Sequence, residues 1–192
     1  MTSILDNPAI RQAVLPVSVE QYHRLGQTGL IPESTELLKG VIVGKMIKSP
    51  MHSWLVQFLI DWFRANLPPD LHVRQEQPLT FSDSEPEPDV AVVSGSPDDY
   101  RSAHPTTAVL VIEVAVSSAE LDREKANVYA AAGVPEYLMV LPEEKRVEVR
   151  TGPQASGYST MRRFGPAETL NLSLLPRVAL PLSALLGDPG TG

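Results

Sequence analysis

The chain has no cysteine, no apolar run near the roughly 20 residues that a bilayer span needs, and no surplus of basic side chains. Without cysteine there is no disulfide framework, and a structural zinc is not expected, since His23, His72 and His104 have no pairwise spacing suited to one. Without a long apolar run a membrane role is not expected. The first residues lack the basic start and apolar centre of a secretory signal, so cytoplasm is the default compartment. With 16 Lys and Arg against 23 Asp and Glu, the net charge of −7 speaks against a surface built for broad, non-specific nucleic-acid binding. A phosphate-binding glycine loop and a nucleophile elbow are both missing, which argues against P-loop nucleotide hydrolysis and serine hydrolase chemistry.

What is present is ordinary globular composition, 43% hydrophobic and 20% charged over 192 residues, the length of one domain. Residues 1–15 read as a flexible arm, 16–187 as a single folded unit and 188–192 as a flexible tail, because both ends lack periodicity. Ser18-Val19-Glu20-Gln21 resembles a capping box that opens a helix ending at Gly26 or Gly29. Glu36 to Gly44 predicts two strands joined by a tight turn at Lys39-Gly40 or one bulged strand, and Trp54, Leu55, Phe58, Leu59 and Trp62 recur at helical spacing between Pro50 and Ala65. The Trp54/Trp62 stripe reads as core. Short apolar runs predict strands over 71–75, 78–81, 89–93 and 108–116. A helix over 119–132 stops at Gly133, and strands follow at 136–141 and 145–150. Less regular apolar segments lie at 157–164 and 177–180, before Pro181 to Leu186. A helix between two strands fits a βαβ crossover, so the expected class is α/β (α+β), a mixed sheet flanked by helices.

Two carboxylates stand out against this apolar background. Asp89 opens Val90-Ala91-Val92-Val93, and Glu113 interrupts Val109-Leu110-Val111-Ile112 before Val114. A charge in such a run needs a partner, either an ion pair or a divalent cation. Hard cations held by carboxylates supply what phosphodiester hydrolysis requires: an activated water and compensation for charge on the phosphoryl oxygens. Asp89 and Glu113 are therefore candidate ligands for Mg²⁺ or Mn²⁺, and Lys125 is a candidate to assist the attacking water. Asp122, three residues before Lys125, shares its helix face and is expected to pair with it. His52, at the start of the long helix, is a secondary candidate. Glu76 is a candidate for support, whereas Glu85 and Glu87 read as a solvated turn.

Pro88-Asp89-Val90-Ala91-Val92-Val93, Val111-Ile112-Glu113-Val114 with Ser117-Ser118, Asp122-Arg123-Glu124-Lys125 and Tyr129 to Tyr137 together resemble the Uma-type family of bacterial restriction-endonuclease-like proteins, within the PD-(D/E)XK nuclease superfamily. The resemblance runs from about Val17 to Leu186 and takes in Glu36-Leu37-Leu38-Lys39-Gly40 and Ser49-Pro50-Met51-His52. It implies a restriction-endonuclease-like core with an added N-terminal helix and hairpin. It further implies an Mg²⁺- or Mn²⁺-dependent DNA endonuclease with Asp89 and Glu113 as metal ligands. The superfamily's usual lysine position, two residues after Glu113, holds Ala115, which moves that role to Lys125. Near the first hairpin turn, where the family shows acids, this chain has Lys39 and Val41, leaving Glu36 as a supporting acid. A homodimer would suit cleavage of both strands. The rival from another class is a nuclease-like fold used as a binding or interaction module, and a third reading is a structural subunit of a larger assembly.

Overall fold

The structure is a computed structural model that describes residues 7–175 and 178–187. The tail expected at 188–192 lies outside the described residues. Part of the expected arm is helical: α1 spans Pro8–Ala13. Asn7 explains this, because its side chain accepts the Ala9 N–H (3.0 Å) and Pro8 presets the first helical turn. The predicted capping box is present. Ser18 Oγ accepts the Gln21 N–H and Gln21 Oε1 accepts the Ser18 N–H, opening α2 over Val19–Gln27.

The hairpin follows as β1, Thr35–Leu38, and β2, Val41–Gly44, antiparallel with Leu38 opposite Val41. Its two turn residues, Lys39 and Gly40, both have positive φ (48° and 74°), the geometry that matches strand twist in a two-residue hairpin. Glycine is required at position 40 on a second count, since a Cβ there would lie 2.4 Å from the Cβ of Pro16. Helix α3, Pro50–Asn66, starts at Ser49, whose hydroxyl accepts the His52 N–H, and buries Leu55, Val56, Leu59, Ile60 and Phe63.

The main sheet contains β3 (Leu71–Gln75), β4 (Val90–Ser94), β5 (Leu110–Val114), β6 (Glu136–Leu141), β7 (Arg146–Gln154) and β8 (Gly157–Phe164), hydrogen-bonded in that order. Only β5 and β6 run parallel, and α4 (Ala119–Ala131) makes the crossover between them as the sequence predicts. Residues 78–81 do not form the expected strand. Leu79, Thr80 and Phe81 donate to Pro86, Pro105 and Ser84 instead of to a ladder, because the surrounding prolines at 78, 86 and 88 carry no N–H for one. A small pair, β9 (Thr169–Asn171) with β10 (Ala179–Pro181), and α5 (Leu182–Leu186) close the described chain. The sequence had shown no strand at 169–171.

Alternation along the strands splits the core. Val90, Val92, Leu110, Ile112 and Val114 pack with α3, β9, β10 and α5, whereas Ala91, Val93, Val111, Tyr137 and Met139 pack with Ala126 and Tyr129 of α4. Glu113 belongs to the α4 face. The register places Glu113 opposite Met139, Met139 opposite Glu148, and Glu148 opposite Arg163, one row running across four strands of that face. No helix among the described residues is long and apolar enough to cross a membrane.

Candidate active site

The antiparallel pairing of β4 with β5 brings the entrance of β4 beside the exit of β5, so Asp89 and Glu113 become neighbours although 24 residues separate them. Each holds the other strand's backbone. Asp89 Oδ2 accepts the Val114 N–H at 2.7 Å, and Glu113 Oε2 accepts the Asp89 N–H at 3.2 Å. The other oxygen of Glu113, Oε1, accepts Lys125 Nζ and the Tyr129 hydroxyl, both at 2.7 Å. Lys125 and Tyr129 stand one helical turn apart on α4, so one helix face addresses one carboxylate twice.

Lys125 reaches a second carboxylate, Glu36 of β1, at 3.0 Å, and Glu36 in turn accepts the Glu87 N–H. Glu36, expected as a supporting acid, therefore stands in the centre of the cluster. Burial works to lower the Lys125 pKa, but the charges of Glu113 and Glu36 outweigh it and hold the ammonium above its ordinary value. For Glu113 burial dominates and pushes the carboxyl upward, against the attraction of Lys125 and with the help of Asp89, Asp122 and Glu36. Burial and the Glu113 charge raise Tyr129 as well, so it stays a phenol and a donor. Asp122 does not form the expected pair with Lys125. It accepts the Ser118 hydroxyl at 2.5 Å, and burial raises its carboxyl.

On the solvent side of Asp89 lies His52, its Nε2 at 3.1 Å from Asp89 Oδ1. The bond to Asp89 is the main cause of a raised imidazole pKa, and Nδ1 is buried with no hydrogen-bond partner among the described residues. Glu76 follows β3 with φ of 50° and donates its N–H to the Asp89 carbonyl, while its carboxylate meets Lys48 Nζ at 2.7 Å. A nitrogen of His52 and one carboxylate oxygen each of Glu76 and Asp89 lie within 4.8 Å of one another. Two carboxylates and an imidazole form a donor set that suits a divalent cation.

All six residues singled out as catalytic or supporting, Asp89, Glu113, Lys125, Glu36, His52 and Asp122, line one cleft, together with Glu76, Glu87, Lys45 and Lys48. Glu76 lies beside Asp89 among the possible donors, and Glu87, read as solvated, forms an ion pair with Lys45. Sequence reasoning missed Tyr129 and Lys48. Tyr129 carried a usable signal, its position four residues after Lys125; the lysine at 48 carried none, because only the loop's path brings it to Glu76.

A mixed sheet between helices, with acids at the joined ends of two central strands and a helix lysine beside them, is a nuclease-like fold. The chain belongs to the Uma2 family, described as "Putative restriction endonuclease", whose model matches residues 19–183. Among solved structures it is similar to a crystal structure of "a putative nuclease belonging to DUF820" from Anabaena variabilis, at 18% identity and a TM-score of 0.72, covering 89% of this chain and 98% of that one. No curated protein matches the chain.

Proposed function

We propose that this protein is a metal-dependent endonuclease, a hydrolase of DNA phosphodiester bonds working in the cytoplasm. The observation that carries the reading is the convergence of His52, Glu76 and Asp89 at the mouth of a cleft whose floor is the Glu113–Lys125–Glu36 cluster. His52, Glu76 and Asp89 would hold Mg²⁺ or Mn²⁺; Glu113, the second ligand expected from the sequence, has Oε1 on Lys125 and Tyr129 and Oε2 on the Asp89 N–H, so it stands beside the cation in this reading. Bound there, a divalent cation supplies positive charge to the phosphoryl oxygens and lowers the pKa of an attacking water.

The chain's own residues set up that chemistry. Asp89 is fixed by the Val114 N–H, which leaves its Oδ1 edge for His52 and the cleft. Lys125, held cationic by two carboxylates, cannot accept a proton from water; its contribution is a fixed positive charge that keeps Glu113 and Glu36 in place. Its role in assisting the attack is therefore electrostatic, and a DNA-cutting homodimer remains compatible with this site in each copy.

One observation favours the second reading, an interaction module without catalysis: Lys125 already satisfies two carboxylates, as a purely structural ion cluster would. Calorimetric titration of Mn²⁺ and Mg²⁺ into the wild type, Asp89→Asn, Glu76→Gln and Glu113→Gln, with plasmid cleavage in the same buffers, separates the two. The nuclease reading expects binding and cleavage to fall together in Asp89→Asn by at least a hundredfold in rate. Full cleavage by that variant, or a folded wild type that neither binds cation nor cuts, sinks it.

A further inference from the structure

Among the described residues, six acids and three lysines line the cleft, and each lysine is committed to a carboxylate: Lys45 to Glu87, Lys48 to Glu76 and Lys125 to Glu36 and Glu113. A phosphodiester entering there meets a surplus of negative charge and needs a cation from the protein as well as a divalent ion. The three lysines differ in how firmly they are held. Lys125 is buried on α4, with 4% of its side chain exposed and two carboxylates on its ammonium. Lys45 is 23% exposed and pairs with Glu87, which is not among the possible cation donors. Lys48 is the most open at 43%, holds one carboxylate, and belongs to the irregular stretch 45–49 between β2 and α3.

That one carboxylate is also a possible cation donor. Glu76 meets Lys48 Nζ at 2.7 Å, and an oxygen of the same group lies within 4.8 Å of donor atoms of His52 and Asp89. A carboxylate carries a single negative charge, so what it gives to a divalent ion it withdraws from the ammonium, and the ion's double charge repels the ammonium as well. A half-open lysine–glutamate pair is weak enough to lose this competition. The Glu76 backbone is tied independently of Lys48, its N–H donating to the Asp89 carbonyl, so the acid keeps its place beside Asp89 when the ammonium turns away. Lys48 then presents an uncommitted positive charge, on a flexible four-carbon stem, at the wall of the cleft.

We propose that Lys48 is the side chain that receives the substrate's phosphate, and that it becomes available for this when Glu76 engages the divalent cation. This rests on the nuclease reading of the same cleft. The consequence is a coupling between two ligands: cation and DNA each raise the other's affinity by the same factor, because the ammonium moves from Glu76 to phosphate. Loss of the lysine therefore acts with opposite signs. The cation loses a competitor, and DNA loses a contact.

The test is calorimetric titration of Mn²⁺ and Ca²⁺ into the wild type, Lys48→Met, Lys48→Arg and Lys45→Met without DNA, followed by fluorescence anisotropy of a labelled 16-base-pair duplex with each protein, with and without Ca²⁺. Lys48→Met is expected to bind both ions roughly threefold more tightly than the wild type or better, whereas Lys45→Met, which removes the same charge from the same cleft without freeing Glu76, stays within about twofold. Ca²⁺ is expected to tighten DNA binding by the wild type at least about fivefold, and Lys48→Met to lose most of that gain. The slope of log affinity against log salt in Ca²⁺ should also fall by about one in that variant. Lys48→Arg keeps the charge and should follow the wild type in both measurements. Cation affinity in Lys48→Met that is unchanged, lower, or no greater than in Lys45→Met overturns the inference, and so does an undiminished gain from Ca²⁺; cation binding and plasmid cleavage by the wild type leave the nuclease reading standing in each case. A folded wild type that binds no cation and cuts no plasmid overturns the nuclease reading and the inference with it.

Discussion

Two glutamates on the α4 face of the sheet, Glu113 and Glu148, are buried to the same degree, 2% exposed each, in one cross-strand row with Met139 between them. Strand spacing puts their backbones roughly 10 Å apart. They are ionically opposite. Glu113 sits among acids with one lysine, and its carboxyl is pushed up; Glu148 accepts from Arg146, Arg150 and Arg163, each at 3.3 Å, and its carboxyl is held down. Burial acts upward on both. What differs is the neighbours' sign and number, so the direction of the shift follows composition of the cluster more than depth in the protein. The arginine cluster has more cation than it needs. The lysine cluster has less, which is the electrostatic reason to look for an external cation beside Glu113 and not beside Glu148.

Removing the single cation from the acid-rich cluster should do the most damage. Lys125→Met leaves Glu36 and Glu113 buried without a counter-charge, a loss of about 3–5 kcal/mol in urea denaturation. Adding Glu113→Gln to that variant should return part of the loss, with a coupling of about 1–3 kcal/mol. Additive effects would mean that the two charges do not interact.

Glu148→Gln should cost less, about 1–3 kcal/mol, because the three arginines it would leave are 19–58% exposed in their side chains and can turn to water. Its pH dependence gives the sharper reading. Burial opposes ionisation of Glu148, but the bonds from Arg150 and Arg163 outweigh it, so the folded pKa lies below the unfolded value of about 4.3. The stabilisation is then complete above the unfolded value and disappears as pH falls through it towards the folded one. The gap in stability between wild type and Glu148→Gln should be constant near neutrality and close progressively below about pH 5. A gap that persists unchanged in acid would remove the arginines' hold on this carboxylate.

How much of this was legible in the chain depends on the range of the interaction. Asp89 and Glu113 stood out because local hydrophobic pattern made a charge conspicuous, and the α4 crossover followed from a helix bounded by strands and closed at Gly133. Helix spacing is short-ranged enough to put Lys125 and Tyr129 on one face. The partner of that face was not legible: Glu36 comes from a hairpin 89 residues away, held beside the sheet entrance by the Leu37–Glu85 bridge, by the Lys39 N–H on the Ser84 hydroxyl and by the Gly40 N–H on the Asp83 carbonyl. Asp122 went astray for the opposite reason. A pairing rule for exposed helices gave it Lys125, but burial lets a nearer hydroxyl, Ser118, take the carboxylate while Lys125 turns to two better acids. The arginine ring around Glu148 escaped notice because alternation along β7 and β8 reads as ordinary polar-apolar patterning until the register aligns Glu148 with Arg163.

The smallest effect is also the most discriminating for the acid-rich side of the comparison. Tyr129 and Tyr137 are fully buried on the same face, their rings stacked 5.6 Å apart, and each donates one hydroxyl bond: Tyr129 to the Glu113 carboxylate at 2.7 Å, Tyr137 to the Asp122 backbone carbonyl at 2.8 Å. Replacing either by phenylalanine removes an oxygen and little else. A bond to a neutral carbonyl is worth about 1 kcal/mol, one to an ionised group about 1.5–3 kcal/mol. Burial pushes the Glu113 carboxyl up while Lys125 opposes it, so the comparison reads which charge state the folded protein holds: with Glu113 ionised, Tyr129→Phe should cost about 1 kcal/mol more than Tyr137→Phe in parallel urea titrations. Equal costs would mean that Glu113 carries a proton in the folded protein, that burial has beaten Lys125, and that the cluster is less negative than its residues suggest.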